Sequence, residues 1–181
     1  MGKEISFPYR RILIIGGNGA GKTTLAVALG ECLQLPIVHL DRLYWQDIWQ
    51  TTPREAFLAA MEEELQKPQW IMDGTFRRTL PTRLAYADCV IHLDFSTFAC
   101  LCGVVRRILR YRGKSRPDMG GECVEGFNRR SRAFLVSIWR MNRTNRREFY
   151  QLTEASGLPV IRLHNRRQVN QFIRKMKTDL Q

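Results

Sequence analysis

Ile12-Leu13-Ile14-Ile15-Gly16-Gly17-Asn18-Gly19-Ala20-Gly21-Lys22-Thr23 is the stretch that decides the fold of this 181-residue chain. Four apolar residues run without interruption, as in a strand buried on both faces of a parallel sheet. The pattern G-x-x-x-x-G-K-[ST] then follows in full from Gly16 to Thr23. Glycines let the backbone curl so that successive N–H groups face one anion. A helix predicted over 23–35, with Leu25, Ala28, Leu29 and Cys32 on one stripe, adds the positive end of its dipole. Lys22 is placed to reach β and γ phosphates, and Thr23 to hold Mg²⁺ through its hydroxyl. The expected ligand is a purine nucleoside triphosphate, ATP with Mg²⁺. The expected binding residues are Gly16, Gly17, Asn18, Gly19, Ala20, Gly21, Lys22, Thr23 and Thr24.

Outward from this loop, strands and helices alternate. Short apolar runs predict strands over 37–40, 70–72, 89–93 and 158–163. Helices are predicted from Pro53 to about 66, over 81–86, over 97–112, over 125–155 and over 166–176. Five strands alternating with helices imply an α/β fold: a five-stranded parallel sheet with helices on both faces, in three layers. No linker or repeat divides the chain, so it reads as one domain over residues 1–181. Two acids end predicted strands, Asp41 and Asp73. In an open parallel sheet the carboxyl ends of strands face the ligand crevice. Asp41 is therefore a candidate catalytic base and Asp73 a candidate for the metal, with helix capping as the alternative for each. Asp94 ends a strand too and reads as structural.

Charge is unevenly placed. The chain has a net charge of +12; residues 1–100 hold ten basic and eleven acidic residues, and the remainder nineteen and six. The excess after residue 100 points to a polyanionic partner. Arg106, Arg107 and Arg110 share helix faces at spacings of three and four, and repel unless an anion lies between them. Arg112 and Arg116 continue the cluster through a loop with Gly113, Pro117, Gly120 and Gly121. A loop of this kind suits a lid closing over a transferring phosphate, in preference to a solvated basic face. A second stretch, from Arg129 to Arg147, interleaves Phe134, Trp139 and Tyr150. Nucleic-acid contact there is possible but not favoured over a helical core.

The other features exclude classes. No apolar run reaches the roughly 18 residues of a bilayer span, and MGKEISFPY resembles no secretory signal. Gly2 and Ser6 fit the myristoylation pattern, a short match read as coincidence outside a eukaryotic host. Cys32, Cys89, Cys100, Cys102 and Cys123 are an odd set without zinc spacing, which suits reduced, mostly buried thiols. A cytoplasmic protein with no membrane partner is expected.

The strings HLDRLYW, WIMDGTF and RILRYRGKSRPDMG, in that order, resemble the bacterial DNA topology modulation (FlaR-type) proteins over nearly the whole chain. That family is related to adenylate kinase and shikimate kinase. The resemblance implies a P-loop NTPase of nucleoside-monophosphate-kinase type with a helical lid. By it, residues 41–68 are the acceptor-binding segment and 97–150 the arginine-rich lid and helical region. Arg107 and Arg116 correspond to lid arginines that clamp phosphates and join Lys22 and Asp41 as catalytic residues. His164 and Asn165 correspond to the loop edging the adenine. The implied activity is phosphoryl transfer from ATP to a small hydroxyl- or phosphate-bearing acceptor. An ATP-dependent nucleic-acid-binding regulator is the alternative. Tyr44, Trp45 and Trp49 stand in the acceptor segment, either stacking a ring or forming a small core. Arg42, Arg54, Arg77, Arg78 and Arg83 are the candidates to grip an acceptor phosphate.

Overall fold

The structure is a computed structural model and describes residues 7–179, so Gly2 and Ser6 lie outside the described residues. Five parallel strands form one sheet: β1 (Arg11–Gly16), β2 (Ile37–His39), β3 (Trp70–Asp73), β4 (Cys89–Leu93) and β5 (Val160–Leu163). Their order is β2-β3-β1-β4-β5, with β1 at the centre. The helices are α1 (Lys22–Leu33), α2 (Leu40–Tyr44), α3 (Arg54–Leu65), α4 (Leu80–Tyr86), α5 (Thr97–Arg110), α6 (Arg129–Ala155) and α7 (Arg166–Asp179).

The apolar run in β1 explains the layering. Ile12 through Ile15 are fully buried and alternate between two cores. Ile12 and Ile14 join Leu25, Leu29, Ile71, Ile91, Val104 and Met176, under α1, α5 and α7. Leu13 and Ile15 join Phe57, Met61, Met72, Leu80, Leu84 and Val90, under α3 and α4. The long α6 reaches both, through Ile138 and Phe149. Each such side chain contributes about 1.5–3 kcal/mol by burial. A polar residue on a strand with two dry faces costs free energy unless it finds a partner, which favours an unbroken apolar run.

The elements lie close to expectation, with local differences that bear on the site. Leu40 starts α2 instead of ending β2, so Asp41 stands in the first turn of a short helix. The buried stripe of α1 is Leu25, Ala26, Leu29 and Gly30, not Ala28 and Cys32. Gly30 is there because Ile37 packs on it: an added Cβ would lie 2.6 Å from Ile37 Cδ1. The α6 helix begins at Arg129 because Asn128 and Ser131 form a reciprocal capping box. Three cysteines are buried, Cys32 is half-buried and Cys102 is exposed, all as free thiols. No helix among the described residues is long and apolar enough to cross a membrane.

Candidate active site

The loop after β1 lies where strand order reverses, between the ends of β3 and β4. Its backbone needs glycine most clearly at Gly19, with φ +85°, where a Cβ would lie 2.2 Å from the Cys100 carbonyl oxygen. Gly21 closes the loop as the N-cap of α1 in the left-handed region. It supplies no side-chain cap, and the first turn of α1 holds no acid. The first N–H groups of α1 are thus left to an external anion. Lys22 Nζ donates to the carbonyls of Gly16 and Gly17, at 3.1 and 3.0 Å, folded over the loop. Burial lowers its pKa, against the raising charges of Asp41 and Asp73.

Asp41 and Asp73 both face this loop, in a cavity of about 220 Å³ that also takes in Thr23, Thr24, Arg106, Arg107, Arg110, Arg116, Asp118 and Arg166. Burial raises the pKa of Asp41, opposed by Arg116 and Lys22, which makes its carboxylate a better proton acceptor than an exposed one. Asp73 is 3% exposed; its Oδ1 meets His39 Nδ1 at 2.9 Å, and its Oδ2 has no partner. His39 has its pKa raised: burial would lower it, but the bond to Asp73 and that charge outweigh the burial. Asp94 is held by Arg146 at 2.6 Å and His164 at 3.3 Å, ties α6 to the end of β5, and does not line this cavity.

The loop joining α5 to α6, residues 111–128, lies within the region 97–150 expected to hold the lid. Arg107 Nε and Arg116 Nε each lie 3.1 Å from the same oxygen of the buried Glu125, without hydrogen-bond alignment. Both Nε atoms are buried in this shared pairing. Arg116 also pairs with Asp118 at 2.8 Å, and Asp118 Oδ2 accepts from the Thr23 hydroxyl at 3.3 Å. Arg106 and Arg110 are exposed and have no carboxylate partner among the described residues; Arg110 lies over the Tyr111 ring. This loop is fastened to residues 47–49. Asp47 Oδ1 accepts from Glu122 N at 2.7 Å, Ile48 N donates to Glu122 O at 3.2 Å, and Trp49 Nε1 donates to Val124 O at 3.2 Å. Ile48 and Trp49 hold φ values of 55° and 62° to make these contacts, a costly conformation for a β-branched residue.

Beside the phosphate cavity lies a second one of about 290 Å³, walled by the rings of Tyr44, Trp45, Trp49, Phe76 and Phe134. Tyr44 also packs on Phe57 and Phe76, at 5.3 and 5.0 Å, so it serves both cavity and core. Trp45 and Trp49 meet edge to face at 5.5 Å, and Arg130 lies 5.0 Å over Trp49. None of Arg42, Arg54, Arg77, Arg78 or Arg83 lines this aromatic cavity. Arg83 is fully buried and donates to Thr79 Oγ1, Gly74 O and Phe76 O, bracing the loop after β3; burial lowers its pKa to about 9. Arg77 pairs with Glu148 at 3.0 Å, and with Arg54 and Arg78 it lines a separate open groove. Asn18, Asp41, Arg107 and Arg116 line both the phosphate and the aromatic cavity.

Asn165 caps α7, its Oδ1 accepting from Gln168 N at 3.0 Å, and does not line the phosphate cavity; the neighbouring Arg166 does, donating to Gly19 O at 3.3 Å. Arg166, Asp118 and Glu125 were not among the expected site residues. Arg166 carries a signal: an arginine pair opens a helix with no acid in its first turn, against the dipole. Asp118 carries one too, as the sole acid in residues 95–121 of an arginine-rich segment. Glu125 carries none that separates it from any other surface glutamate.

No protein-family model matches the chain. Among characterised proteins, the Dictyostelium discoideum deoxyadenosine kinase is 31% identical over 122 residues, 60% of this chain. The alignment spans about half, 49%, of that relative's length. Among solved structures, deoxyadenosine kinase from M. mycoides with bound dATP matches with TM-score 0.55 at 16% identity, covering 92% of this chain and 98% of that one. Shikimate kinase from Acinetobacter baumannii in complex with shikimate matches with TM-score 0.57 at 15% identity, covering 93% and 91%. The fold is that of the P-loop kinases, as expected.

Proposed function

We propose that the chain is an ATP- and Mg²⁺-dependent kinase that phosphorylates a hydroxyl of a small ring-bearing acceptor of nucleoside type. The observation that carries this is the shared lining. Asn18, Asp41, Arg107 and Arg116 stand between a phosphate cavity and an aromatic one, where a phosphoryl group passing from one to the other would cross. The aromatic walls suit a planar ring, and none of the five arginines offered to grip an acceptor phosphate lines them. The likeness to deoxyadenosine kinases supports the same class.

In this reading the acceptor hydroxyl oxygen forms a bond to the γ-phosphorus as the bond from that phosphorus to the β-bridging oxygen breaks. The hydroxyl proton passes to Asp41, whose raised pKa suits it to the task, and ADP leaves. Lys22 and the arginines at the seam neutralise charge on the moving group. The residues fit a divalent cation: Thr23 offers a hydroxyl and Asp73 a buried, unpartnered oxygen. Among the described residues no three acidic, His or Cys side chains could hold a metal alone, which suits a cation that arrives with phosphates. Such a cation would supply charge neutralisation at the β and γ oxygens. The test is incubation with [γ-³²P]ATP and a panel of nucleosides, nucleotides and polyols. Label is expected on a nucleoside; no labelled product from any acceptor refutes the reading.

A nucleic-acid-binding role, as the topology-modulation resemblance suggests, is favoured by one observation. Arg132, Val136, Trp139, Arg143, Arg147 and Tyr150 recur at helical spacing along the exposed side of α6, with Trp139 65% exposed. Binding of labelled oligonucleotides by anisotropy, falling steeply with salt, would support it. Flat anisotropy at low salt would remove it.

A further inference from the structure

Asp118 is the odd residue of the lid. It is the sole acid in residues 95–121, yet it lies 8% exposed in the phosphate cavity. A carboxylate there repels a triphosphate unless a cation lies between the two. Its placement is built. Gly120 brings lid backbone against the acceptor segment, where a Cβ would lie 2.1 Å from Trp45 O and 2.2 Å from Arg42 O. The Ser115 hydroxyl donates to Gly121 O at 3.0 Å and accepts from Cys123 N at 3.0 Å. The hairpin so closed delivers Asp118 Oδ2 to the Thr23 hydroxyl.

Arg116 pairs with Asp118 Oδ2 at 2.8 Å and also lies 3.1 Å from Glu125, so one guanidinium is shared between two carboxylates. The second observation is in the same cavity. Asp73, 3% exposed, keeps Oδ2 without a partner in the same cavity. A hydroxyl from the loop, an orphaned carboxylate oxygen from β3 and a carboxylate from the lid thus face one space. Hard oxygen donors of this kind, completed by phosphate oxygens, are what Mg²⁺ takes.

We propose that Asp118 is the lid's contribution to the divalent cation bound with nucleotide on Thr23, directly or through a water ligand, so that the cation fastens the lid to the phosphate-binding loop. This rests on the reading that nucleotide and Mg²⁺ bind on that loop. Asp118 thereby acts through the metal, as a positioning residue, and not on the reacting atoms.

The test is equilibrium binding of a fluorescent ATP analogue to the full chain, titrated with Mg²⁺ or Mn²⁺ and repeated in EDTA. In wild type the cation tightens binding. In Asp118→Asn the apparent cation affinity should fall about tenfold or more, as for lost metal-shell groups, while affinity in EDTA is unchanged or improved. Asp118→Cys should regain binding with Cd²⁺ in preference to Mg²⁺, because thiolate favours the softer ion. Thermal melts of both variants establish that they fold. Unchanged cation affinity in Asp118→Asn overturns the proposal, as does binding tightened equally with and without cation, which would make Asp118 a plug. Wild type that binds no nucleotide overturns the functional reading as well. Wild type that binds equally well in EDTA overturns the cation step alone.

Discussion

Gly103→Ala tests the contact on which the phosphate loop rests. In an exposed helix this change stabilises by about 0.5–1 kcal/mol, because glycine loses more freedom on folding. Here the new Cβ would lie 2.1 Å from the Gly19 carbonyl oxygen and 2.9 Å from its carbonyl carbon. A comfortable C···O contact is about 3.3 Å or longer, so α5 or the loop must move by roughly 1 Å. Neither side yields easily, since both contacts are to backbone and Gly19 is itself pressed against Cys100 O. Overpacking of this kind costs about 1–3 kcal/mol. Set against the helix gain, the net is about 0–2.5 kcal/mol, or a Tm lower by up to about 10 °C in a domain of this size. Shifting the loop also misplaces its N–H donors, so nucleotide affinity should fall about 10- to 100-fold, as misplacements near 1 Å do. Thermal unfolding and calorimetric titration with Mg·ATP measure the two effects. Gly126→Ala, where a Cβ meets nothing within 4 Å, is the control: it should cost no stability and leave nucleotide affinity unchanged. A Gly103→Ala protein as stable as wild type, with the same nucleotide affinity, would refute the backbone contact.

Asp41→Asn should lower kcat about 10²- to 10⁴-fold with little change in the KM for ATP; steady-state kinetics on the accepted nucleoside decide it, and a kcat near wild type removes Asp41 as base. Arg83→Met should cost about 3 kcal/mol in urea unfolding, because the carbonyls of Gly74 and Phe76 lose a buried donor; a loss below about 1 kcal/mol would show that the loop after β3 holds itself. His92 is fully buried with both ring nitrogens unpartnered, and burial lowers its pKa to about 4 from an ordinary 6.5. Unfolded chains bind that proton more readily, so this contribution is complete above pH 6.5 and is lost as pH falls toward about 4, at up to about 1.4 kcal/mol per unit. His92→Phe should flatten that slope in denaturation measured across the window, and an equal slope in both proteins would place the acid sensitivity elsewhere.

Most of the fold was legible because its signals are local. The unbroken run in β1, the glycines after it and Pro53 before α3 each dictate backbone within a few residues. The backbone of the loop after β1 was legible for the same reason, since one eight-residue string carries the loop and the start of α1. What escaped depends on distant pairing. Whether Arg83 grips a ligand or braces Gly74 depends on burial under other elements, and nothing in its neighbours distinguishes the two. Asp118 and Thr23 stand 95 residues apart, and only the hairpin through Gly120 and Gly121 joins them. Tyr44, Trp45 and Trp49 read equally as core or as pocket wall, and Tyr44 turns out to be both.

Under the proposed function, the fastening of Glu122 and Val124 to Asp47, Ile48 and Trp49 would make one gate serve two chambers. The flap over the phosphates cannot swing away while those bonds hold unless the wall of the aromatic chamber goes with it. Occupancy on either side would then slow escape from the other, and the two affinities would be linked reciprocally through a single hinge. Exchange of both products would be paced by one opening, whose frequency is set by three hydrogen bonds and by the strain held at Ile48 and Trp49.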